Sequence, residues 1–375
     1  LWSPFLEMFK TKKFFVVFTQ IASGVGFGLV ALSLQLPHFF ACSIALLAVI
    51  AFSGATHDIA TDGVYMTELS KSDQAKYIGW QGAFYNIAKI VASGGLVYLA
   101  GWLVKRFGGV EGASGEVVYE ANVHAWMIVM FVMAIVMISL GLYHTRMLPS
   151  GGAATSEATS FKETFDKLVE VILDFFKKKH IWYYIAFIIL YRFAEGFVMK
   201  IVPLFLKAGR EIGGLGLSEQ EIGIYYGTYG AAAFVLGSLL AGYYISHRGL
   251  KKTLFSLCCT FNLPFIAYTL LAIYQPTSGM LIGGAIVLEY FGYGFGFVGL
   301  TLFMMQQVAP GKHQMAHYAF ASGIMNLGVM LPGMVSGFVS DWLGYRDFFI
   351  FILFATIPAF LITYFVPFTY PDTKK

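Results

Sequence analysis

Charged residues are scarce in this sequence. Asp, Glu, Lys and Arg together make up 12% of its 375 residues, whereas a soluble globular domain carries about 25%. A chain with so few charges cannot cover a water-exposed surface, which excludes an ordinary soluble fold. Hydrophobic residues make up 58% of the sequence, a composition typical of a protein that crosses the lipid bilayer several times.

Cysteine is also scarce. Cys42, Cys258 and Cys259 all lie in apolar runs, so they indicate packing residues and not a disulfide framework. The sequence begins at Leu1, with neither an initiator Met nor a signal peptide. In a membrane protein the placement of Lys and Arg matters more than the net charge of +4. We therefore expect no nucleic-acid partner, and we expect neither a metal nor another cofactor.

The sequence is rich in long apolar runs. Since a helix needs about 20 apolar residues to cross the hydrocarbon core, ten segments qualify as membrane spans. Runs of this length are unlike the alternating strands of about ten residues in a membrane β-barrel. The pattern predicts an all-α polytopic membrane protein. The ten predicted spans are 14–36, 40–66, 78–104, 124–147, 181–206, 221–246, 252–274, 279–306, 314–340 and 347–369.

The positions of Lys and Arg orient these spans. One set of alternate loops carries seventeen basic residues and the other set carries five. Cytoplasmic loops are enriched in Lys and Arg, so the first set is predicted to be cytoplasmic, with both ends of the chain on that side. Three basic residues, Lys89, Arg192 and Lys200, fall inside predicted spans.

The longest polar stretch, 148–180, divides the chain into four spans before it and six after it. It opens with PSGGAATSEATS, a composition typical of flexible linkers. It continues as FKETFDKLVEVILDFFKKK, whose apolar residues recur at a helical period and predict an amphipathic helix in the membrane interface. The predicted organisation is a four-span half (1–147), this linker (148–180) and a six-span half (181–375).

The two halves share signs of an internal repeat. When the sequence is shifted by 240 residues, Lys12 falls on Lys252 and Trp102 falls on Trp342, and the order of the spans also matches. Two-fold internal repeats are characteristic of secondary transporters. The first two spans of the second half have no counterpart in the first half. We therefore expect the parent protein to start two helices earlier and to hold twelve spans in two six-helix halves.

The segment GYYISHRGLKK, between two predicted spans, resembles the cytoplasmic loop signature of the major facilitator superfamily. Proteins of that superfamily have the twelve-helix arrangement expected here. The signature consists of a Gly, an acidic residue, Arg, Gly and further basic residues, and Ser246 stands where the acid is usual. The residues that match the signature are Gly242, Arg248, Gly249, Lys251 and Lys252.

Several short motifs resemble those of AmpG-type muropeptide permeases and the related acetyl-coenzyme A transporter family. THDIATD at 56–62 resembles their fourth-helix pattern, and LYRFAEGFVM at 190–199 resembles their seventh-helix pattern. Glu289, followed by glycines, resembles their tenth helix, while His57 replaces a usual Gln. The resemblance implies a transporter of the bacterial inner membrane that imports anhydro-muropeptides into the cytoplasm.

Ionisable residues inside the predicted spans form the candidate site. Each such charge costs about 2.5–3.5 kcal/mol on insertion scales, so these residues are expected to face a wet cavity or one another. A carboxyl in a low-dielectric environment has a raised pKa and can take up a proton near neutral pH. Fixed ion pairs between helices are the structural alternative. The proton-coupling candidates are His57, Asp58, Asp62, Glu195 and Glu289.

Basic and aromatic residues of the spans are the candidates for binding substrate. Arg192 and Glu195 lie three residues apart near the middle of their span, on one helical face. Arg can hold an anionic group with a bidentate fork. Tyr rings can stack on a sugar, and core packing is the alternative for any single ring. The substrate-binding candidates are Asn86, Lys89, Arg192, Tyr229 and Tyr293.

Three functions are compatible with these motifs. We expect a monomeric secondary transporter, not an enzyme, that works by alternating access and couples import of cell-wall sugar-peptides to protons. A transporter of the same superfamily for another sugar, a nucleotide or a drug is the second interpretation. A membrane-embedded hydrolase that uses His57 with Asp58 and Asp62 is a remote alternative, because no further His or Cys is placed to complete a metal site.

Overall fold

The structure, a computed structural model, describes residues 2–152 and 161–371. These residues form helices and connecting segments without a β-strand, which confirms the predicted all-α class. Most of the predicted flexible linker, at 153–160, and the basic residues Lys374 and Lys375 lie outside the described residues.

The four predicted spans before the linker are all helical, and the third contains a π-helical turn. The elements are α1 (Ser3–Met8), α2 (Lys12–Ser33), α3 (Phe39–Glu68), α4 (Lys71–Ile90), a π-helical segment (Val91–Leu96), α5 (Val97–Arg106) and α6 (Gly115–Met147).

The six predicted spans after the linker are helical as well, and a further helix lies within the linker. The elements are α7 (Phe161–Lys177), α8 (Ile181–Tyr191), α9 (Phe193–Lys207), a 3-10 turn (Arg210–Ile212), α10 (Glu219–Ile222), a π-helical segment (Gly223–Tyr229), α11 (Gly230–Arg248), α12 (Leu250–Asn262), α13 (Phe265–Tyr274), α14 (Gly279–Phe303), a π-helical segment (Met304–Val308) and α15 (Gln314–Tyr364).

Eight helical stretches in the described part of the chain are long and apolar enough to cross a membrane. The predicted span 181–206 is not among them, because it is broken at Arg192 into the shorter helices α8 and α9. The last two predicted spans are two helices within the range of α15, and they meet at Gly344, whose torsion angles are non-helical (φ 72°, ψ 163°). At about 1.5 Å per residue, the 51 residues are together long enough for two crossings of a bilayer core about 30 Å thick.

The first of two compact units comprises Leu1–Glu68 and Ile87–Leu168. Within it α2 packs against both α3 and α6. The hydroxyl of Ser23 donates to that of Ser53 at 3.0 Å, which joins α2 to α3 with a buried polar contact. Gly24 allows α6 to approach closely, since a Cβ there would lie 3.0 Å from a backbone carbonyl oxygen of α6.

The second unit comprises Leu69–Asn86 and Val169–Lys375. Its closest helix pairs are α11 with α14 and α9 with α15. Glycines on α14 make the packing possible, because a Cβ at Gly292 would collide with a backbone carbonyl of α12 and one at Gly294 with a backbone carbonyl of α11. Helix α14 therefore lies directly between α11 and α12, and this position brings its polar residues into the interior of the unit.

The linker helix α7 packs on the beginning of α15. Val171 and Phe175 are both buried, and the ring of Phe175 lies 5.5 Å from that of Phe320. Phe165 and Phe176, which the sequence pattern places on the apolar face, are exposed. The side of α7 that packs on the protein, with Val171 and Phe175, therefore lies next to the apolar face that the sequence pattern indicated. The location of α7 in a membrane interface stays a prediction.

Candidate functional site

Arg192 occupies a break in the middle of the predicted span 181–206. Helix α8 ends at Tyr191 and α9 begins at Phe193, while Arg192 itself has non-helical torsion angles (φ −107°, ψ 7°). The break makes Glu195 part of the first turn of α9. An acidic side chain is favourable there, because the unpaired backbone N–H groups give the start of a helix a partial positive charge.

Arg192 and Glu195 form a buried bidentate ion pair. The Nε of Arg192 donates to Oε2 of Glu195 at 2.5 Å, and Nη2 donates to Oε1 at 2.6 Å. The two residues are only 5% and 2% exposed. Two parallel charge-assisted hydrogen bonds are the strongest arrangement available to this pair. The predicted proximity on one helical face is confirmed, although the helix is interrupted.

Glu289 is the second buried carboxyl of this unit. It lies on α14, and the hydroxyl of Tyr268 on α13 donates to its Oε2 at 3.3 Å. Glu289 also interacts electrostatically with Glu195. The structure therefore brings together two of the predicted proton-coupling residues, with Arg192 beside them.

Aromatic rings surround this charged cluster. The guanidinium of Arg192 lies over the ring of Phe297, 5.1 Å from its centroid, which is a cation–π distance. Tyr293 interacts electrostatically with both Arg192 and Glu195. Together with Glu289 and Tyr268, these residues form what we call the α14 cluster: Arg192, Glu195, Tyr268, Glu289, Tyr293 and Phe297.

A group of tyrosines continues from the α14 cluster towards the π-helical segment Gly223–Tyr229. The rings of Tyr226 and Tyr290 pack edge-on at 4.8 Å, and those of Tyr290 and Tyr293 lie 6.5 Å apart. Tyr229, a predicted substrate ligand, is 51% exposed. π-Helical turns are frequent at functional sites, and this one carries both the exposed Tyr229 and Tyr226, whose ring packs on that of Tyr290.

Sequence reasoning missed Tyr268 and Phe297. Tyr268 is 21 residues from Glu289 and lies on another helix, so no spacing rule connects the two. Phe297 lies two turns after Glu289 on α14, where helical periodicity places it on the same face. That signal was available for Phe297, but an aromatic residue in an apolar run does not by itself indicate a contact with Arg.

The HDIATD residues lie on α3, in the first unit. Asp58 is exposed, while His57 and Asp62 are partly buried. His57 interacts electrostatically with Asp58 and with His144 on α6, and His144 bonds in turn with Gln20 at 2.9 Å. Asp58 and Asp62 lie four residues apart on this helix.

Asn86 and Lys89 lie on α4, just before the π-helical segment Val91–Leu96. The side-chain amide of Asn86 donates to the carbonyl of Gly82 at 2.9 Å, within the same helix. Lys89 is exposed. Asn86 belongs to the second unit and Lys89 to the first.

The loop-signature residues lie at the junction of α11 and α12. Gly249 has a positive φ (82°) and separates the two helices, which explains the requirement for glycine. Arg248 lies over the ring of Tyr244 at 5.5 Å, and Lys251 over that of Phe368 at 6.0 Å. Lys252 is exposed.

Gly242 marks a close contact between α11 and α4, in the second unit. A Cβ at Gly242 would lie 2.8 Å from the carbonyl oxygen of Ala75. One turn further along, Gly79 faces Ser238, whose hydroxyl donates to the carbonyl of Gly79 at 3.4 Å. The first part of α4 is thus packed backbone to backbone on α11.

In the described residues, the group of side chains with metal-binding geometry is Glu170, Asp174 and His313. It does not include the HDIATD residues. The hydrolase alternative, which needs a metal at His57, Asp58 and Asp62, gains no support from the structure.

The chain resembles known families over most of its length. The sequence model of the Major Facilitator Superfamily matches residues 1–308 and, in a second match, residues 193–375. The anhydromuropeptide permease of Escherichia coli (strain K12) is 23% identical over 368 residues, which cover 96% of this chain and 68% of the permease. The putative transporter AmpG 2 of Rickettsia typhi is 23% identical over 217 residues, which cover 54% of this chain and 48% of that protein.

Solved structures have the same fold. The fucose:proton symporter FucP of E. coli matches with a TM-score of 0.68 at 14% identity, over 97% of this chain and 86% of the symporter. A bacterial homologue of the iron transporter ferroportin, in an outward-facing state, matches with a TM-score of 0.55 at 13% identity, over 96% and 83%. Identities this low establish the fold alone. The expected superfamily and its relation to AmpG-type permeases are confirmed.

Proposed function

Because this chain belongs to the Major Facilitator Superfamily, a family of membrane transporters, we propose that it is a proton-coupled importer of anhydro-muropeptides or related cell-wall sugar-peptides. We place it in the bacterial inner membrane as a multi-pass monomer that works by alternating access. The names of the bacterial relatives support this substrate class, and the symporter of similar fold supports coupling to protons. We also propose the organisation into 1–147, 148–180 and 181–375.

The observation that carries the proposal is the burial of Arg192, Glu195 and Glu289 in one interior cluster. Charges within membrane-spanning segments are costly and mark substrate or proton pathways. Glu195 and Glu289 interact with each other, and like charges at short range disfavour the state in which both carboxyls are ionised. Such a cluster is able to exchange a proton when its surroundings change.

We propose that protonation of Glu195 links the binding of the proton to the binding of the substrate. While Glu195 is ionised, its carboxylate accepts hydrogen bonds from both Nε and Nη2 of Arg192. A proton on Glu195 weakens this pair and frees the guanidinium to bind a carboxylate of a peptide, with the same bidentate geometry. Glu289, bonded to the neutral phenol of Tyr268, is the neighbouring proton site. Binding of proton and of anionic substrate then favour each other.

The tyrosines next to the cluster suit the sugar part of the substrate. Tyr229 is exposed and Tyr293 is half-buried. A sugar ring offers C–H faces for aromatic stacking and hydroxyls for phenol hydrogen bonds. Asn86 and Lys89 are proposed as further substrate contacts, and His57, Asp58 and Asp62 as a secondary proton path in the first unit.

The test is uptake of labelled anhydro-muropeptide into proteoliposomes. With Glu195→Gln or Glu289→Gln, uptake driven by a proton gradient is expected to fall at least about ten-fold, while exchange of substrate between the two sides at equal pH persists. Glu211→Gln is the matched control, because Glu211 is an exposed carboxyl of the same unit. Gradient-driven uptake that survives in both site variants would overturn proton coupling through this cluster.

Substrate identity has its own test. Unlabelled anhydro-muropeptide is expected to compete with the labelled compound, whereas fucose, nucleotides and unrelated drugs are not. If the protein transports one of those compounds and anhydro-muropeptide does not compete, the assignment to cell-wall sugar-peptides fails and the alternative transporter function replaces it.

A further inference from the structure

The end of the linker helix α7 is hydrogen-bonded to the segment that joins α14 to α15 through Lys178, the residue after the helix. The ammonium of Lys178 donates to three consecutive carbonyls, those of Val308, Ala309 and Pro310, at 2.6, 3.0 and 2.7 Å. A cation at the carboxyl end of a helix is favourable, because unpaired carbonyls accumulate negative partial charge there. The end of α7 is thus tied to the turn that precedes residue 313.

A second contact fixes the middle of α7. The imidazole Nε2 of His317 lies 3.1 Å from the carbonyl oxygen of Val171, and the ring of Phe175 lies 5.6 Å from that of His317. Val171 and Phe175 are buried by this packing. Side chains of α7 that point towards residue 313 are therefore held at a set distance from it, which is what a preformed ligand site needs.

Three side chains with metal-ligating atoms converge at this contact. Glu170 and Asp174 are one helical turn apart on α7 and project from the same face. His313 approaches from the residue before α15 and is 5% exposed. One ligand atom from each of the three residues lies within 4.8 Å of the others.

The distances suit a shared ion better than a direct bond. The Nε2 of His313 lies 3.9 Å from Oδ2 of Asp174, which is too long for a hydrogen bond. Zn²⁺ binds imidazole nitrogen and carboxylate oxygen at about 2.0–2.2 Å, so two of its ligands lie up to about 4 Å apart. Glu170 is exposed, so its carboxylate is accessible to an ion from the solvent.

We propose that Glu170, Asp174 and His313 bind a divalent transition-metal ion on the cytoplasmic side of the protein, with water completing the coordination. One imidazole and two carboxylates are a donor set for Zn²⁺ or a similar ion of the first transition row. A bound ion joins the linker helix to the turn between α14 and α15, and α14 carries Glu289. The metal site lies outside the α14 cluster, and a bound ion leaves the chemistry of that cluster unchanged.

Lys312 competes with the ion for the carboxylate of Glu170. Its ammonium lies 2.9 Å from Oε1 of Glu170, and the nearby carboxylate raises the pKa of Lys312. The ion has to displace this exposed ammonium, so Lys312 lowers the affinity of the site. A variant that lacks the ammonium keeps all three ligands and removes the competing charge.

The experiment is calorimetric titration of Zn²⁺ into the untagged, chelator-treated full chain in detergent. The parent protein is expected to bind one ion per chain at this site. Asp174→Asn and His313→Gln are expected to weaken binding at least about ten-fold, since even changes to residues that only support a metal ligand cost about 10–100-fold. Lys312→Met is expected to bind as tightly as the parent or up to about five-fold more tightly.

The controls separate this site from others. Glu163→Gln changes a carboxyl two turns earlier on α7, and Asp58→Asn changes one on α3; both are expected to bind like the parent. Thermal unfolding without metal checks each variant, and Glu170→Gln, at an exposed position, serves where His313→Gln is unstable. Absence of binding by the parent, unchanged binding in Asp174→Asn and Glu170→Gln, or loss in Lys312→Met would each overturn the proposal.

Discussion

Arg192 lies between two helices and holds Glu195, one turn later, with two hydrogen bonds of 2.5 and 2.6 Å. The break at Arg192 and the ion pair support each other, because the break exposes backbone N–H groups at the start of α9 beside the carboxylate. The arrangement fixes one arginine and one acid in the interior of a membrane protein of the Major Facilitator Superfamily.

The first prediction concerns the stability of this pair. Glu195→Leu leaves a buried guanidinium without its carboxylate and is expected to cost about 3–5 kcal/mol of folding free energy. The double variant Arg192→Leu with Glu195→Leu is expected to recover most of that loss, because neither charge remains, and still not to transport. Thermal unfolding in detergent measures the first effect and uptake measures the second. Equal melting temperatures for the single and double variants would show that the pair is not coupled.

The second prediction concerns the geometry of Arg192. Arg192→Lys keeps the positive charge but removes the planar fork, so it is expected to raise the KM for anhydro-muropeptide about ten-fold or more. Lys200→Arg is the matched control, because Lys200 is exposed on α9. Initial uptake rates over a range of substrate concentrations measure the effect. An unchanged KM in Arg192→Lys would exclude a bidentate contact with the substrate.

The third prediction concerns Tyr268, which donates to Glu289 at 3.3 Å. Tyr268→Phe removes one hydroxyl and keeps the ring, so the fold is expected to persist while gradient-driven uptake falls more than substrate exchange does. Tyr274→Phe is the control, since Tyr274 is 75% exposed on the same helix. Similar uptake by the two variants would show that Tyr268 does not contribute to proton coupling in the α14 cluster.

The fourth prediction concerns the contact between α4 and α11. A Cβ at Gly79 would collide with the backbone of α11 near Ser238, so Gly79→Ala is expected to cost about 1–3 kcal/mol through overpacking. Gly101→Ala is a control on α5, because its Cβ would meet nothing within 4 Å. Melting temperatures of the two variants check the difference. A melting temperature of Gly79→Ala that matches the Gly101→Ala value would show that the helices do not pack closely there.

Apolar length predicted the helices well and their interruptions poorly. Ten spans follow from composition, and every one is helical, because the bilayer requires internal backbone hydrogen bonds whatever the side chains are. The break at Arg192 lies inside the predicted span 181–206, whose apolar run carries no sign of it. The kink at Gly344, in contrast, lies in the predicted gap between spans 314–340 and 347–369.

Only part of the candidate site was predictable from the sequence. Charge inside a span is visible in a sequence, which identified Arg192, Glu195 and Glu289. Their partners Tyr268 and Phe297 are ordinary residues of apolar runs, and only the packing of α13 and α14 brings them to the charges.

The convergence of Glu170, Asp174 and His313 was not predicted from the sequence. Asp174 and His313 are separated in the sequence by four predicted spans, so no ligand spacing connects them, and the sequence indicated no metal. The helical period of the linker predicted α7 but not which of its two apolar strips faces the protein. Val171 and Phe175, the strip that is buried, set the positions of Glu170 and Asp174.

The proposed function requires the α14 cluster to couple the entry of protons to the entry of substrate. The most direct measurement is the change in pH inside proteoliposomes when anhydro-muropeptide is added outside without an imposed gradient. With the parent protein the interior is expected to acidify, and Glu195→Gln and Glu289→Gln are expected to abolish the acidification while substrate exchange continues. Substrate entry without acidification in the parent protein, or undiminished acidification in both variants, would contradict it.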